Sequence, residues 1–340
     1  EDFRAGQILQ HAPPRTLTSG DAALYTGLYG ARFAAQSSAE IARALGLAES
    51  PIDDLLVFHT VFGKTVPEVS LNAIANLGYA DCRFLKPVFA GDTLNGRTEV
   101  LGMRENANRE SGIVYVRSTG FNQRGEDVLT FARWVMVRKR LKDAAVPDAQ
   151  VPSLPHVIEP GSLALPAAAA LTAAHRRNLG TERFFDDFTK GRRFDHADGT
   201  TVEEAEHMIA TRLYHNTARV HFNAHTEAKG RFGKRVVYGG HVISLARALS
   251  YNGLESALFV TGINAGRHVA PCFAGDTVYA WSEVVDKVPA ASSRDWGFLR
   301  LRTIATKDRA CTDFPDKQTD GTYDPAVILD LDYWVAVPRG

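Results

Sequence analysis

"RFLKPVFAGDTLNGRTEV" occupies Arg83–Val100, and "RHVAPCFAGDTVYAWSEV" occupies Arg267–Val284. Laid over one another without a gap, the two agree at nine of eighteen positions, 184 residues apart. The likeness runs outward from there. Upstream, "EDFRAGQILQHAPPRTL" from Glu1 matches "DDFTKGRRFDHADGTTV" from Asp186, so that Asp2, Phe3, Gly6 and His11 recur as Asp187, Phe188, Gly191 and His196. "TGLYG" at Thr26 faces "TRLYH" at Thr211, and "RWVMVRKR" at Arg133 faces "YWVAVPRG" at Tyr333. The offset has widened to 200 by then, through the polar insertion "CTDFPDKQTDGTYDP". A period this long marks a duplicated domain rather than a solenoid.

The duplication divides the chain into an N-terminal copy over residues 1–140, a linker over 141–180 and a C-terminal copy over 181–340. Five prolines between Pro147 and Pro166 make the linker an extended tether, long enough to cross one domain. Both copies carry a leading strand, a helical stretch, an apolar helix and then several alternating strands. "IDDLLVFHTVFGKTVPEV" is the apolar helix of copy one, and "YGGHVISLARALSYNGL" that of copy two. Apolar-polar alternation in the strands marks an antiparallel sheet with one buried face. An apolar helix of about 14 residues with little polar face must be wrapped on most sides. The expected fold is therefore α+β: a double hot-dog, two tandem units of antiparallel sheet around a helix. The repeated "P-x-F-A-G-D-T" is a turn into a long strand, where Gly91-Asp92 and Gly275-Asp276 supply backbone freedom. It reads as scaffold.

Composition narrows the function. With 340 residues, 45% hydrophobic and 23% charged, the chain has the makeup of an ordinary globular protein of about two domains. Lys plus Arg equals Asp plus Glu, 39 each, so no global field recruits nucleic acid or an anionic membrane. Cys82, Cys272 and Cys311 form neither a disulfide framework nor a zinc motif. No apolar run reaches the roughly 18 residues of a membrane helix, and "EDFRAGQ" is not a signal peptide. A cytoplasmic location is expected.

"DDLLVFHTVFGKTVPEVSLNAIANLGYA", "NTARVHFNAHTE" and "RVVYGGHVISLARALSYNG", with the two "FAGDT" strands, resemble the MaoC-like enoyl-CoA hydratases of the double hot-dog type. The resemblance covers nearly the whole chain. It implies reversible hydration of an enoyl-CoA, most closely the interconversion of (2R,3S)-β-methylmalyl-CoA and mesaconyl-CoA; assembly into a homodimer is expected besides. The family pattern Asp-x-Asn-Pro-x-His meets "NTARVH" in copy two: His221 falls on the histidine, but Asn216 holds the aspartate's place. Copy one has Phe33 and Ala34 where the histidine belongs, so only copy two is expected to be catalytic.

Adding water to an α,β-unsaturated thioester puts oxygen on Cβ and a proton on Cα, through an enolate. Helix-start amides at Gly240 and Gly239 suit that enolate, and His221 suits the proton transfers. Asn216 can hold the water but cannot take its proton, so His241 and His215 are further imidazole candidates. The phosphates of coenzyme A need a local basic cluster, for which Arg231, Lys234 and Arg235 in "GRFGKR" qualify. Asp53, Asn76 and Lys86 of copy one are candidates for the pantetheine arm. Arg219 is the first candidate for the free carboxylate of mesaconyl-CoA, although Arg32 aligns with it in copy one. His221 and His225 imitate a metal pair without a third ligand, and the base chemistry needs no metal or redox cofactor.

Three other readings stay open. A hydratase of unsubstituted enoyl-CoAs needs no carboxylate-binding cation. A hot-dog thioesterase needs a carboxylate such as Glu206 or Glu227 at the site. A non-catalytic acyl-CoA-binding subunit would explain Asn216.

Overall fold

The computed structural model of the chain describes residues 3–71, 73–141, 149–166 and 169–340. Copy one runs β1 (Ile8–Thr16), α1 (Ser19–Tyr29), short α2 (Ala34–Ser37) and α3 (Ala39–Ala44), α4 (Asp54–Thr65), then β2 (Ala73–Phe84), β3 (Thr93–Glu105), β4 (Ser111–Phe121) and β5 (Asp127–Arg138). After α5 (Ala173–Arg177), copy two runs β6 (Arg193–Asp195), β7 (Thr200–Thr201), α6 (Glu204–Leu213), α7 (Ala224–Glu227) and α8 (Gly239–Leu249). It closes with β8 (Phe259–His268), β9 (Thr277–Pro289), β10 (Trp296–Lys307) and β11 (Val327–Pro338).

The eleven strands among the described residues form one sheet, in the order β1-β3-β4-β5-β2-β8-β11-β10-β9-β6, with β7 also on β9. Each half repeats the other's strand order, and the halves join where β2 pairs antiparallel with β8. The sheet curls round both apolar helices. Leu55–Thr65 of α4 and Gly240–Leu249 of α8 are buried at every position, as a helix without a polar face requires.

Equivalent residues of the two copies meet in pairs 185 positions apart. Ala80 lies opposite Ala265 at the seam, His59 Nε2 is 3.0 Å from Ser244 Oγ between the helices, and the Tyr29 and Tyr214 hydroxyls are 2.6 Å apart. That is the signature of a two-fold relation between the copies. The repeated turn is duplicated in geometry too: Gly91 has φ 98° and Gly275 φ 95°, a region glycine adopts without strain. Asp92 Oδ2 accepts from Phe89 N–H at 3.0 Å and Asp276 Oδ2 from Phe273 N–H at 2.9 Å. These aspartates hold the backbone, as scaffold residues do.

The linker crosses the outer face of the seam. Ile158 N–H donates to Asn264 Oδ1 at 2.8 Å, and Ile158 and Leu163 lie so close over Gly262 that a Cβ there would come 2.8 Å from Ile158 Cδ1. Residues 142–148 and 167–168 of this segment lie outside the described residues. No described helix is long and apolar enough to cross a membrane.

Candidate functional site

The loop after α6 carries Asn216 and His221 and lies on the hot-dog helix of copy one. Gly63 of α4 makes this approach possible, since a Cβ there would fall 1.8 Å from the Tyr214 carbonyl oxygen. The chain then turns through His215, at φ 51°, and a short 3-10 turn brings round Arg219–His221.

A largely apolar cavity of about 300 Å³ opens between this loop, the start of α8 and copy one. Copy two lines it with Asn216, His221, Tyr238, Gly239 and His268. Copy one lines it with Phe62, Ser70, Asn76, Tyr79 and Arg133. The site is composite.

His221 is held in one tautomer. Its Nδ1 lies 2.9 Å from the Val236 carbonyl, which can only accept, so Nδ1 carries the proton and Nε2 the lone pair. Burial pushes its pKa down to about 4, leaving a neutral imidazole at pH 7. His268 is likewise pushed down to about 4, by burial and then by nearby His221. Its Nε2 is 3.3 Å from the Tyr79 hydroxyl, and its ring lies on Gly239, where a Cβ would come 2.4 Å from Cε1. Asn216 is buried, and its Oδ1 accepts from Ala218 N–H at 3.0 Å. Its Nδ2 amide makes no hydrogen bond among the described residues.

The start of α8 is uncapped. Tyr238 stands at the N-cap and makes no capping hydrogen bond. His241 N–H turns back to the Tyr238 carbonyl at 2.8 Å, while the amides of Gly239 and Gly240 have no acceptor among the described residues. Neither glycine tolerates a Cβ, because at Gly240 it would come 2.5 Å from the His59 ring and 2.3 Å from the Tyr238 ring. Two free donors at a helix N-terminus suit a developing negative charge.

Of the residues singled out by sequence, Asn216, His221, Gly239, Arg231 and Asn76 line this cavity, and Gly240 lies immediately behind Gly239. The remaining ones are placed elsewhere. His241 is fully buried in the core, with Nδ1 2.8 Å from the Tyr29 hydroxyl, and its pKa is pushed down to about 3. Arg219 is exposed and off the cavity; on a 3-10 turn, two residues do not bring it to the face of His221. Arg235 is paired with Glu204, and Lys234 is exposed over the Phe273 ring at 4.2 Å. Only Arg231 of the basic cluster reaches the cavity, from an exposed position. Lys86 is exposed and paired with Glu126 at 2.6 Å. Asp53 caps α4, its Oδ1 accepting from Leu55 N–H at 2.9 Å. His215 lies on a neighbouring surface cavity.

Sequence reasoning missed His268, Tyr238, Tyr79 and Arg133. A signal for His268 was present: it occupies, in the second copy of the opening stretch, the place of Phe84 in the first. Arg133 stands likewise where copy two has Tyr333. Positions at which duplicated scaffold diverges chemically carry that kind of information.

No aspartate or glutamate lines the cavity among the described residues, Glu206 and Glu227 included. No three His, Cys, Asp or Glu side chains among them converge as metal ligands would. The chemistry available is a neutral imidazole, an amide donor and an uncapped helix start.

Two fused hot-dog units place a histidine and a bare helix start on one cavity. The chain belongs to the MaoC-like dehydratase family. The MaoC-like domain model matches residues 2–121, that is, copy one. A beta-methylmalyl-CoA dehydratase of Chloroflexus aurantiacus is 56% identical over 339 residues, covering 100% of this chain and 96% of that protein. A mesaconyl-CoA hydratase of Cereibacter sphaeroides is 52% identical, covering 100% and 97%. Among solved structures, a MaoC domain protein dehydratase from Chloroflexus aurantiacus superposes with a TM-score of 0.97 at 56% identity, covering 99% of this chain and 96% of that one. A Mycobacterium tuberculosis protein described as a double hot-dog fold superposes at 0.78 with 27% identity, covering 99% and 97%.

Proposed function

We propose that this chain is a hydro-lyase that interconverts (2R,3S)-β-methylmalyl-CoA and mesaconyl-CoA. The observation that carries it is His221, neutral and oriented by the Val236 carbonyl, in one cavity with the bare start of α8. In hydration, Nε2 of His221 takes a proton from a water as its oxygen bonds to Cβ. The electron pair of the double bond moves to the thioester oxygen, where the amides of Gly239 and Gly240 stabilise the enolate. The imidazolium then returns its proton to Cα. Asn216, able to donate but not to take a proton, positions the water, so one histidine carries both transfers.

Arg231, exposed at the cavity, suits the phosphates of coenzyme A. Asn76 suits the pantetheine arm, because both polar atoms of its side chain are buried without a partner among the described residues. An amide offers one donor and one acceptor, which complements that pair. A thioesterase is disfavoured by the lack of a carboxylate on the described cavity wall. The reading includes a cytoplasmic homodimer, and no metal or redox cofactor enters the steps above.

The test follows enoyl-thioester absorbance with mesaconyl-CoA and crotonyl-CoA, for the intact protein and His221→Ala. Rapid loss on mesaconyl-CoA is expected, falling by about 10²–10⁴-fold in the variant. An inert intact protein, or an alanine variant of full activity, overturns the reading. Equal rates on crotonyl-CoA would move it to unsubstituted enoyl-CoAs.

A further inference from the structure

Among the described residues, Arg133 is a cation without a counter-ion. It is fully buried, and its guanidinium lies 4.2 Å over the ring of Phe62. Its hydrogen bonds go to neutral hydroxyls: Nη2 donates to Thr65 Oγ1 at 2.7 Å, and both Nη1 and Nη2 lie 3.3 Å from Ser70 Oγ. Nε is buried and has no partner among the described residues. Burial lowers its pKa to about 10, with Tyr79 and Tyr238 acting the other way and no acid among the groups that act on it. The side chain is therefore still charged at pH 7. Burying a charge unpaired is strongly unfavourable, so a position that keeps one invites an anionic partner.

The cation faces the cavity of His221 and Gly239. Tyr238, one of the two side chains acting on it, also packs against His221 with ring centroids 5.5 Å apart. Tyr79, the other, reaches His268. The duplicated scaffold does not require the arginine, since copy two has Tyr333 in its place. Burial also sorts the cations: Arg231 is exposed, Arg219 is exposed and off the cavity, and Arg133 alone among the lining arginines is enclosed.

We infer that Arg133, steadied by Ser70 and Thr65, is the subsite for a free carboxylate on the substrate, and so selects dicarboxylic enoyl-CoAs over plain ones. The Nε–H, without a partner among the described residues, is the donor left for that carboxylate, and the charge on the guanidinium strengthens such a hydrogen bond. The assignment deepens the mesaconyl-CoA reading and rests on it for the identity of the acid.

Tiglyl-CoA tests it, because a methyl group replaces the carboxylate of mesaconyl-CoA and little else changes. Arg133→Met should lower kcat/KM for mesaconyl-CoA by about 100-fold or more and for tiglyl-CoA by less than about five-fold. Where tiglyl-CoA turns over too slowly, its inhibition constant serves instead. Arg133→Lys should fall between the intact protein and Arg133→Met. If the methionine variant fails to fold, Ser70→Ala carries the same comparison, with a smaller loss on mesaconyl-CoA alone. Free mesaconate should raise the unfolding temperature of the intact protein and not that of Arg133→Met. Equal losses on both thioesters overturn the subsite and leave the hydratase reading standing. Stabilisation by mesaconate that depends on Arg133, in a protein inert towards mesaconyl-CoA, keeps the subsite and overturns that reading. Absence of both responses overturns the subsite.

Discussion

The two hot-dog helices begin at equivalent places and do opposite things there. Asp53 and Asp54 of copy one stand where copy two has Tyr238 and Gly239. Asp53 spends its carboxylate on the Leu55 amide at 2.9 Å, and Asp54 spends its own on the Val260 amide at 2.9 Å. The first two amides of α8, those of Gly239 and Gly240, find no acceptor among the described residues. The loop before each helix diverges in the same sense. Phe33 of copy one is buried under the Arg247 guanidinium, 3.5 Å from its ring centroid, and the neighbouring pocket has shrunk to about 20 Å³. Copy two keeps His221 over about 300 Å³. A capped helix and a filled pocket stabilise, whereas a bare helix start and an open pocket bind. Copy one is not idle, however, because α4, β2 and β5 form the far wall of the copy-two cavity. Two copies inside one sheet thus supply different parts of the cavity: His221, Asn216 and the bare helix start from one, and Phe62, Tyr79 and Arg133 from the other.

Acid should separate the copies most strongly. His196, His221 and His268 of copy two are pushed down to about 4 and His241 to about 3, all mainly by burial. Of the copy-one histidines, His59 is pushed as far, to about 3. These folded values lie below the ordinary 6.5, so the unfolded chain takes up protons first. Stability is full above about pH 6.5 and declines as pH falls towards 4, by on the order of 1–2 kcal/mol per buried histidine between pH 7 and 5. The urea midpoint should therefore drop steeply over that range, with hydrogen exchange quickening first in β8–β11. A midpoint unchanged at pH 5 breaks this account.

His268→Phe installs the copy-one residue in copy two. If the difference at this position is chemical, kcat/KM falls by about 10–100-fold while the unfolding temperature moves by only a few degrees. Retained activity would reduce His268 to a packing residue. The reverse exchange is expected to achieve least. In a chain already carrying His221→Ala, Phe33→His should recover no hydration, because Asp53 still caps α4 and the pocket is closed. It should cost about 1–3 kcal/mol in denaturant unfolding. Recovered turnover would mean that cap and pocket volume do not separate the copies.

Periodicity alone settled much of this protein. The repeat, the apolar helices and the alternating strands were legible because each is a local pattern set by side-chain spacing along one element. His221, Asn216 and Gly239 were legible too, since a loop and the helix it precedes lie close in sequence. Burial and partnership were not. His241, one residue past the glycines, faces the core and Tyr29 rather than the cavity, because a helical residue 100° further round meets a different neighbour. Arg219 and Arg133 look alike as letters; only the pairing of β5 with β2 and the curl of the sheet over α4 enclose one and leave the other in water. The local chemistry of each copy was written in its own stretch of chain, whereas the site needed residues from both, brought together by a seam between β2 and β8 that no local spacing encodes.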